Sequence, residues 1–230
     1  GNADLVVGSV PTLGRNGSKR IHDIGDFNLV VIDEAHHASP DNRTYQRVLD
    51  HFGHVTRLGV TATPQRGDGK ALSGVFDEVV YFRTIEEMID EGWLVPPVGY
   101  RVKTGSDLSG VHIRAGEFIE SELAEAVDTD ERNALAVRAY QELAIGRRAT
   151  VYAVNVEHGE HLAETFRGAG ISCEAIFGKT DKELRKQILA NFAAGKISVL
   201  SNCAVLTEGW DDPGMSCLIL ARPTRSTLLY

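Results

Sequence analysis

Asp33, Glu34 and His36 stand directly after four apolar residues, in Leu29-Val30-Val31-Ile32-Asp33-Glu34-Ala35-His36-His37. Two adjacent carboxylates can divide the work of nucleotide hydrolysis. One holds the water shell of a Mg²⁺ ion, and its neighbour orients the attacking water. A solvated acidic loop would give the same letters. The carboxylates must lie at an open edge, because burying them without partners is costly. The apolar run ahead of them predicts a strand buried on both faces of a parallel sheet. Such a strand delivers the pair to the carboxyl edge, where open α/β sheets bind ligands. A second apolar run, Arg57-Leu58-Gly59-Val60-Thr61-Ala62-Thr63-Pro64, ends in two hydroxyl residues at the same predicted edge.

Asp-Glu-Ala-His followed by Thr-Ala-Thr at this spacing resembles motifs II and III of the superfamily 2 helicases and translocases, the DEAD/DEAH-box type. The resemblance implies Asp33 at Mg²⁺ through water, and Glu34 as base for the attacking water. It also implies His36 as the link between the nucleotide site and Thr61 and Thr63. The implied cofactors are ATP and Mg²⁺. The implied partner is nucleic acid, with further domains or subunits of a larger motor.

Composition is compatible with this and narrows little. The chain has 230 residues, 43% hydrophobic and 24% charged, room for one large or two small cores. The net charge of −8 argues against a generally basic nucleic-acid surface, although it leaves room for a basic stripe in a cleft. Cys173, Cys203 and Cys217 are odd in number and widely spaced, so neither a disulfide framework nor a zinc ribbon is expected. No apolar stretch is long enough for a bilayer and the start is not a signal peptide, so a cytoplasmic protein with no membrane contact is expected.

Along the chain, residues 4–10 predict a buried strand. Thr12 follows it where the family resemblance places motifs Ib and Ic, which implies a nucleic-acid phosphate contact; an ordinary strand-end threonine is the alternative. A phosphate-cradling Gly-x-x-x-x-Gly-Lys-Ser/Thr loop is expected well before Asp33, and none is found. Pro64-Gln65-Arg66-Gly67-Asp68-Gly69-Lys70-Ala71 imitates one, but Pro64 replaces the first glycine and Ala71 lacks the metal-binding hydroxyl. Residues 39–53 predict an amphipathic helix, residues 78–82 an extended closing segment, and residues 84–92 a helix ended by glycine. His37, His51 and His54 read as surface or packing residues. Residues 98–130 change texture, with an exposed strand at 99–103 and a loop before a short acidic helix. This stretch resembles the interdomain segment of type III restriction motor subunits and related bacterial DNA helicases, which favours DNA over RNA.

From residue 131 the pattern alternates helix and apolar strand at short intervals, the signature of a doubly wound sheet. Helices are predicted at 131–145, 156–168 and from a Thr180–Glu183 capping box to 194. Strands are predicted at 149–154, 171–176, 196–201 and 215–221. Glu157-His158-Gly159-Glu160-His161 reads as a solvated helix start in preference to a metal site. Val205-Leu206-Thr207-Glu208-Gly209-Trp210-Asp211-Asp212-Pro213 resembles motif V. That implies nucleic-acid contact near Thr207 and nucleotide contact at Gly209 and Asp211. Asn155, at motif IV, and Thr180, at a phosphate-contacting turn, are implied nucleic-acid contacts as well. Trp210 is expected in a core or interdomain role before base stacking. Arg222 and Arg225 precede the place where motif VI, Gln-x-x-Gly-Arg, would supply its charge-stabilising arginines.

The expected fold is α/β, with two RecA-like doubly wound parallel-sheet domains. The first lacks its N-terminal part and the second its C-terminal part. The expected boundaries are 1–92, an interdomain linker at 93–130, and 131–230. The expected activity is that of an ATP-dependent helicase or translocase on nucleic acid, with negligible hydrolysis by this fragment alone. Two alternatives remain: a non-hydrolysing nucleic-acid-binding module with a degenerate nucleotide site, and another P-loop-fold hydrolase using the Gly69-Lys70 loop.

Overall fold

In a computed structural model of the chain, the described residues are 4–63, 72–114, 116–207 and 209–225. The chain divides into two compact units that meet in sequence between Val98 and Gly99. The Pro64–Ala71 imitation of a phosphate loop lies outside the described residues.

In the first unit, helix α1 (Val10–Leu13) is followed by β1 (Leu29–Ile32), α2 (Arg43–His51) and β2 (Thr56–Gly59). The strands pair in parallel, Leu29 opposite Thr56 and Ile32 opposite Gly59. Asn42 caps α2 by accepting the Thr44 amide at 3.2 Å, which satisfies a donor that the first helical turn leaves open. The helix then buries Val48 and Leu49, and Ile32, Ala35, Ala38 and Leu49 form the core beneath β1. Gly59 is a packing requirement: a Cβ there would stand 2.5 Å from the Phe76 ring and 2.9 Å from the Ala35 methyl.

Two expectations for this unit are corrected. β1 is buried on one face only, with Leu29 and Val31 exposed. An apolar run records that a strand is apolar on both sides, but only packing decides whether both sides are covered. Residues 4–10 form no ladder, and Leu5 and Val7 are exposed. β1 and β2 pair with each other alone among the described residues, and Pro11 near the start of α1 favours a helical first turn. Residues 79–82 likewise run exposed outside any ladder. The helix expected at 84–92 is present as α3 (Ile85–Asp90), opened by a Thr84–Glu87 capping box and followed by Gly92 at φ +78°.

The second unit begins with exposed chain at 99–103, without the strand expected there. A hairpin follows, β3 (Ile113–Arg114) antiparallel to β4 (Glu117–Phe118). Then come α4 (Glu120–Val127), α5 (Asp130–Leu143), β5 (Arg148–Tyr152), α6 (Val156–Gly168) and β6 (Cys173–Ile176). Helix α7 (Lys182–Ala193), β7 (Val199–Asn202) and β8 (Met215–Leu220) complete it. The sheet order is β6-β7-β5-β8, parallel throughout. Strand alternation sends neighbours to opposite faces. Val151 and Val199 pack with Tyr140 of α5 and Phe166 of α6, while Leu200 and Ile176 pack with Ile188 and Phe192 of α7. Helices on both faces make the sheet doubly wound.

Two further corrections concern helix starts. Asp181 caps α7 by accepting the Glu183 and Leu184 amides, while the Thr180 hydroxyl accepts the Phe177 amide instead. The start of α6 is not solvated at His158, which is fully buried. Gly159 lets that turn approach the sheet, since a Cβ there would lie 2.6 Å from the Phe177 ring. The three cysteines are free. Among the described residues no helix is long and apolar enough to cross a membrane.

Candidate functional site

In the first unit, the ends of β1 and β2 are stitched together beyond their ladder. Val60 donates its amide to Ile32 O at 2.9 Å, and Ala35 donates to Val60 O at 3.0 Å. Between these bonds the chain turns sharply through Glu34, which holds a left-handed φ of 48°. Such a backbone is uncommon outside glycine and is retained where the surroundings impose it. Asp33 accepts the Glu34 amide on Oδ1 at 2.9 Å, stabilising the turn. The turn carries His36 toward β2, where Nδ1 meets Thr61 Oγ1 at 2.9 Å and Glu34 Oε2 at 3.4 Å. Thr61 Oγ1 also accepts the Thr63 amide at 3.1 Å. One imidazole nitrogen is thus shared between the acidic turn and the hydroxyl-bearing turn. Thr12 lies on α1, and its carbonyl accepts the Ser18 hydroxyl at 3.0 Å.

The remaining candidates lie in the second unit. Asn155 caps α6, its Oδ1 accepting the His158 amide at 2.8 Å. Thr180 closes the Phe177–Thr180 turn. Thr207, Gly209 and Asp211 are exposed between β7 and β8, with Gly209 at φ +67°. Glu208 lies outside the described residues. Trp210 is partly buried against the α7 core, its ring 6.1 Å from that of Phe192.

Three features escaped the sequence. Arg148 forms a bidentate ion pair with Asp212, Nη2 to Oδ1 at 2.8 Å and Nη1 to Oδ2 at 2.9 Å. Tyr152 donates its hydroxyl to Leu206 O at 2.8 Å. The only available signal was strand parity, which puts residues 148 and 152 on one face of β5. The third feature is a buried chain of hydrogen bonds. Val154 N–H donates to His158 Nδ1 at 3.2 Å, so the ring proton sits on Nε2 and donates to Asn133 Oδ1 at 3.2 Å. Asn133 Nδ2 donates to Asp128 Oδ1 at 2.9 Å, and Asp128 Oδ2 meets His161 Nδ1 at 2.7 Å. Burial pushes His158 down to about 4, whereas the Asp128 hydrogen bond raises His161.

Asp33 and Glu34 are carboxylates, the class of hard oxygen donor that Mg²⁺ takes beside waters and nucleotide phosphates. Among the described residues no group of three or more His, Cys, Asp or Glu could hold a metal ion. That donor set suits an ion arriving with its nucleotide better than one caged by the protein.

Comparison with known proteins gives these arrangements a family. Residues 1–66 match the type III restriction enzyme res subunit family, and residues 132–230 match the helicase conserved C-terminal domain. A protein of Saccharomyces cerevisiae provisionally named ATP-dependent helicase IRC3 is 36% identical over 99% of this chain and 34% of its own length. The Schizosaccharomyces pombe protein provisionally named mitochondrial ATP-dependent helicase irc3 is 38% identical over 95% of this chain and 36% of its own length. A fragment assigned as an HsdR subunit of a type I restriction enzyme from Vibrio vulnificus superposes with a TM-score of 0.64. Its identity is 21%, and the match covers 86% of this chain and 37% of that one. The fold is α/β and RecA-like. The chain spans about a third of the length of the curated relatives it matches.

Proposed function

We propose, of a chain that belongs to the superfamily 2 helicases related to type III and type I restriction motor subunits, that it works as part of an ATP-dependent motor on nucleic acid. The carrying observation is the His36 Nδ1–Thr61 Oγ1 bond, which ties the acidic turn to the strand end beside it. Bound Mg-ATP would supply the phosphoryl group and the charge that Asp33 faces through the ion's water shell. Glu34 would position the attacking water, and the turn at φ 48° would hold its carboxylate beside His36. A change at Thr61 or Thr63 would then be felt at Glu34 through one imidazole. Thr12, Asn155, Thr180 and Thr207 would contact the nucleic acid, and Gly209 and Asp211 the nucleotide. Residues 1–92 and 131–230 would belong to the two motor domains, joined by 93–130. DNA is the proposed track, supported by the match to a restriction enzyme subunit family.

The test is Mg-ATP hydrolysis with and without single-stranded DNA, by this chain and by the full-length protein containing it. The full-length protein should hydrolyse ATP with DNA stimulation, and Glu34→Gln should lower turnover by at least about a hundredfold, as expected for loss of a general base. Thr61→Val should reduce the stimulation by about tenfold, the scale of one lost hydrogen bond. This chain alone should show no turnover above its Glu34→Gln variant, because its sequence matches neither the phosphate-cradling loop nor Gln-x-x-Gly-Arg and positioning supplies nearly all phosphoryl-transfer catalysis. ATP-independent DNA binding with no turnover by the full-length protein would favour the non-hydrolysing module.

A further inference from the structure

The segment between β7 and β8 carries Thr207, Gly209 and Asp211, and one strand holds it at two points. At its start, the Tyr152 hydroxyl bonds Leu206 O at 2.8 Å. At its end, Asp212 receives both terminal nitrogens of Arg148 at 2.8 and 2.9 Å. Its Oδ1 also accepts the Gly214 amide at 2.9 Å. The second anchor is built to fit. Arg148 donates to Phe192 O at 2.9 Å and lies over the Phe192 ring at 5.3 Å, beside which Trp210 packs. A Cβ on residue 214 would fall 1.2 Å from Arg148 Nη2, so only glycine leaves the guanidinium its place. Arg148 and Tyr152 are four residues apart on β5, hence on the same face. Both partners of the ion pair are largely shielded from water, with side-chain exposures of 20% and 10%. In that setting a bidentate pair fixes geometry, and losing one member leaves an unpaired charge.

We infer that Arg148 and Tyr152 are positioning residues that hold Thr207, Gly209 and Asp211 between two anchors on one strand. This inference rests on the motor reading above, which places nucleic acid near Thr207 and nucleotide near Asp211. The Tyr152 anchor adjoins the Thr207 end, and the Arg148–Asp212 anchor adjoins the Asp211 end. With both in place, the span cannot shift toward one ligand without pulling on β5. Releasing each anchor therefore has its own signature.

The experiment compares the full-length protein with Tyr152→Phe and with the double variant Arg148→Gln/Asp212→Asn, which removes both charges and strands neither. Amide hydrogen exchange is read over residues 206–214 and over β6 and β7, alongside steady-state ATP hydrolysis. Tyr152→Phe should speed exchange around Leu206 and Thr207 and raise the DNA concentration for half-maximal stimulation, each by about tenfold, the scale of one lost hydrogen bond. The double variant should speed exchange over 210–214 and raise the KM for ATP by about tenfold on the same scale. Exchange in β6 and β7 should not change. Unchanged exchange over 206–214 overturns the inference. So does loss of protection in β6 and β7 in step with the loop, or an equal effect of both variants on both ligands. A full-length protein that hydrolyses no ATP refutes the motor reading instead, and the exchange data still decide whether the anchors hold the loop.

Discussion

Lowering the pH should unlock the second unit through one buried imidazole. His158 is fully buried, and burial holds its pKa at about 4 against an ordinary value of 6.5. The groups facing it are Asp128, which favours its protonation, and Arg132 and His161, which oppose it. Its Nδ1 already accepts the Val154 amide, so a second proton would have to displace that bond. The folded pKa of this base is depressed, so below pH 6.5 the unfolded chain binds the proton that the folded chain refuses. The contribution is intact above pH 6.5 and is lost as pH falls toward 4. Applying linkage to the values of 6.5 and about 4 gives a loss of about 2 kcal/mol between pH 7 and pH 5, rising to about 3 kcal/mol at lower pH. His161 works in the opposite sense. Its pKa is raised by Asp128, so that pair stabilises most at low pH, but it is half exposed and solvent screening keeps its share small. The assay is urea unfolding followed by Trp210 fluorescence in a Trp93→Phe background, so that one indole reports the second unit. The parent should lose about 2 kcal/mol from pH 7 to 5, while His158→Gln should start less stable and lose almost nothing further over that range. Parallel pH profiles for the two proteins would show that His158 does not carry the loss.

Two other measurements test the packing. Gly59→Val should destabilise the first unit by about 1–3 kcal/mol in chemical denaturation, because the new side chain meets the Phe76 ring and the Ala35 methyl at closer than contact distance. Cys173 is pushed up to about 12 by burial. It should therefore resist iodoacetamide at pH 8 in the folded protein and react promptly in urea, as mass spectrometry of the labelled peptide would show.

Much of the second unit was legible in the sequence because its signals are local. The 13 residues of α6 fall where the apolar spacing places them, and the strands at 149–154 and 171–176 differ from β5 and β6 by a residue or two. Asp33 and Glu34 followed by Thr61 and Thr63 were legible as a constellation, since both runs end in polar residues after an apolar strand. Thr180 and Asp181 are both good capping residues and stand adjacent, so the letters alone do not choose between them. Which of them turns inward depends on where the Phe177 amide needs an acceptor.

From residue 131 onward the letters alone were enough for the order of helices and strands and their parallel α/β pattern, and earlier in the chain for the residue types at the acidic turn, because propensity and periodicity act over a few residues. Tertiary structure decided what those residues touch. It brought His36 to Thr61 across 25 positions, Arg148 to Asp212 across 64 and Tyr152 to Leu206 across 54. It also decided that His158 is buried while His161 stays at the surface. It left Leu29 and Val31 exposed although their letters suit a core. Burial and hydrogen-bond partnership depend on which surfaces meet, and a single chain of letters carries no distance between residues far apart along it.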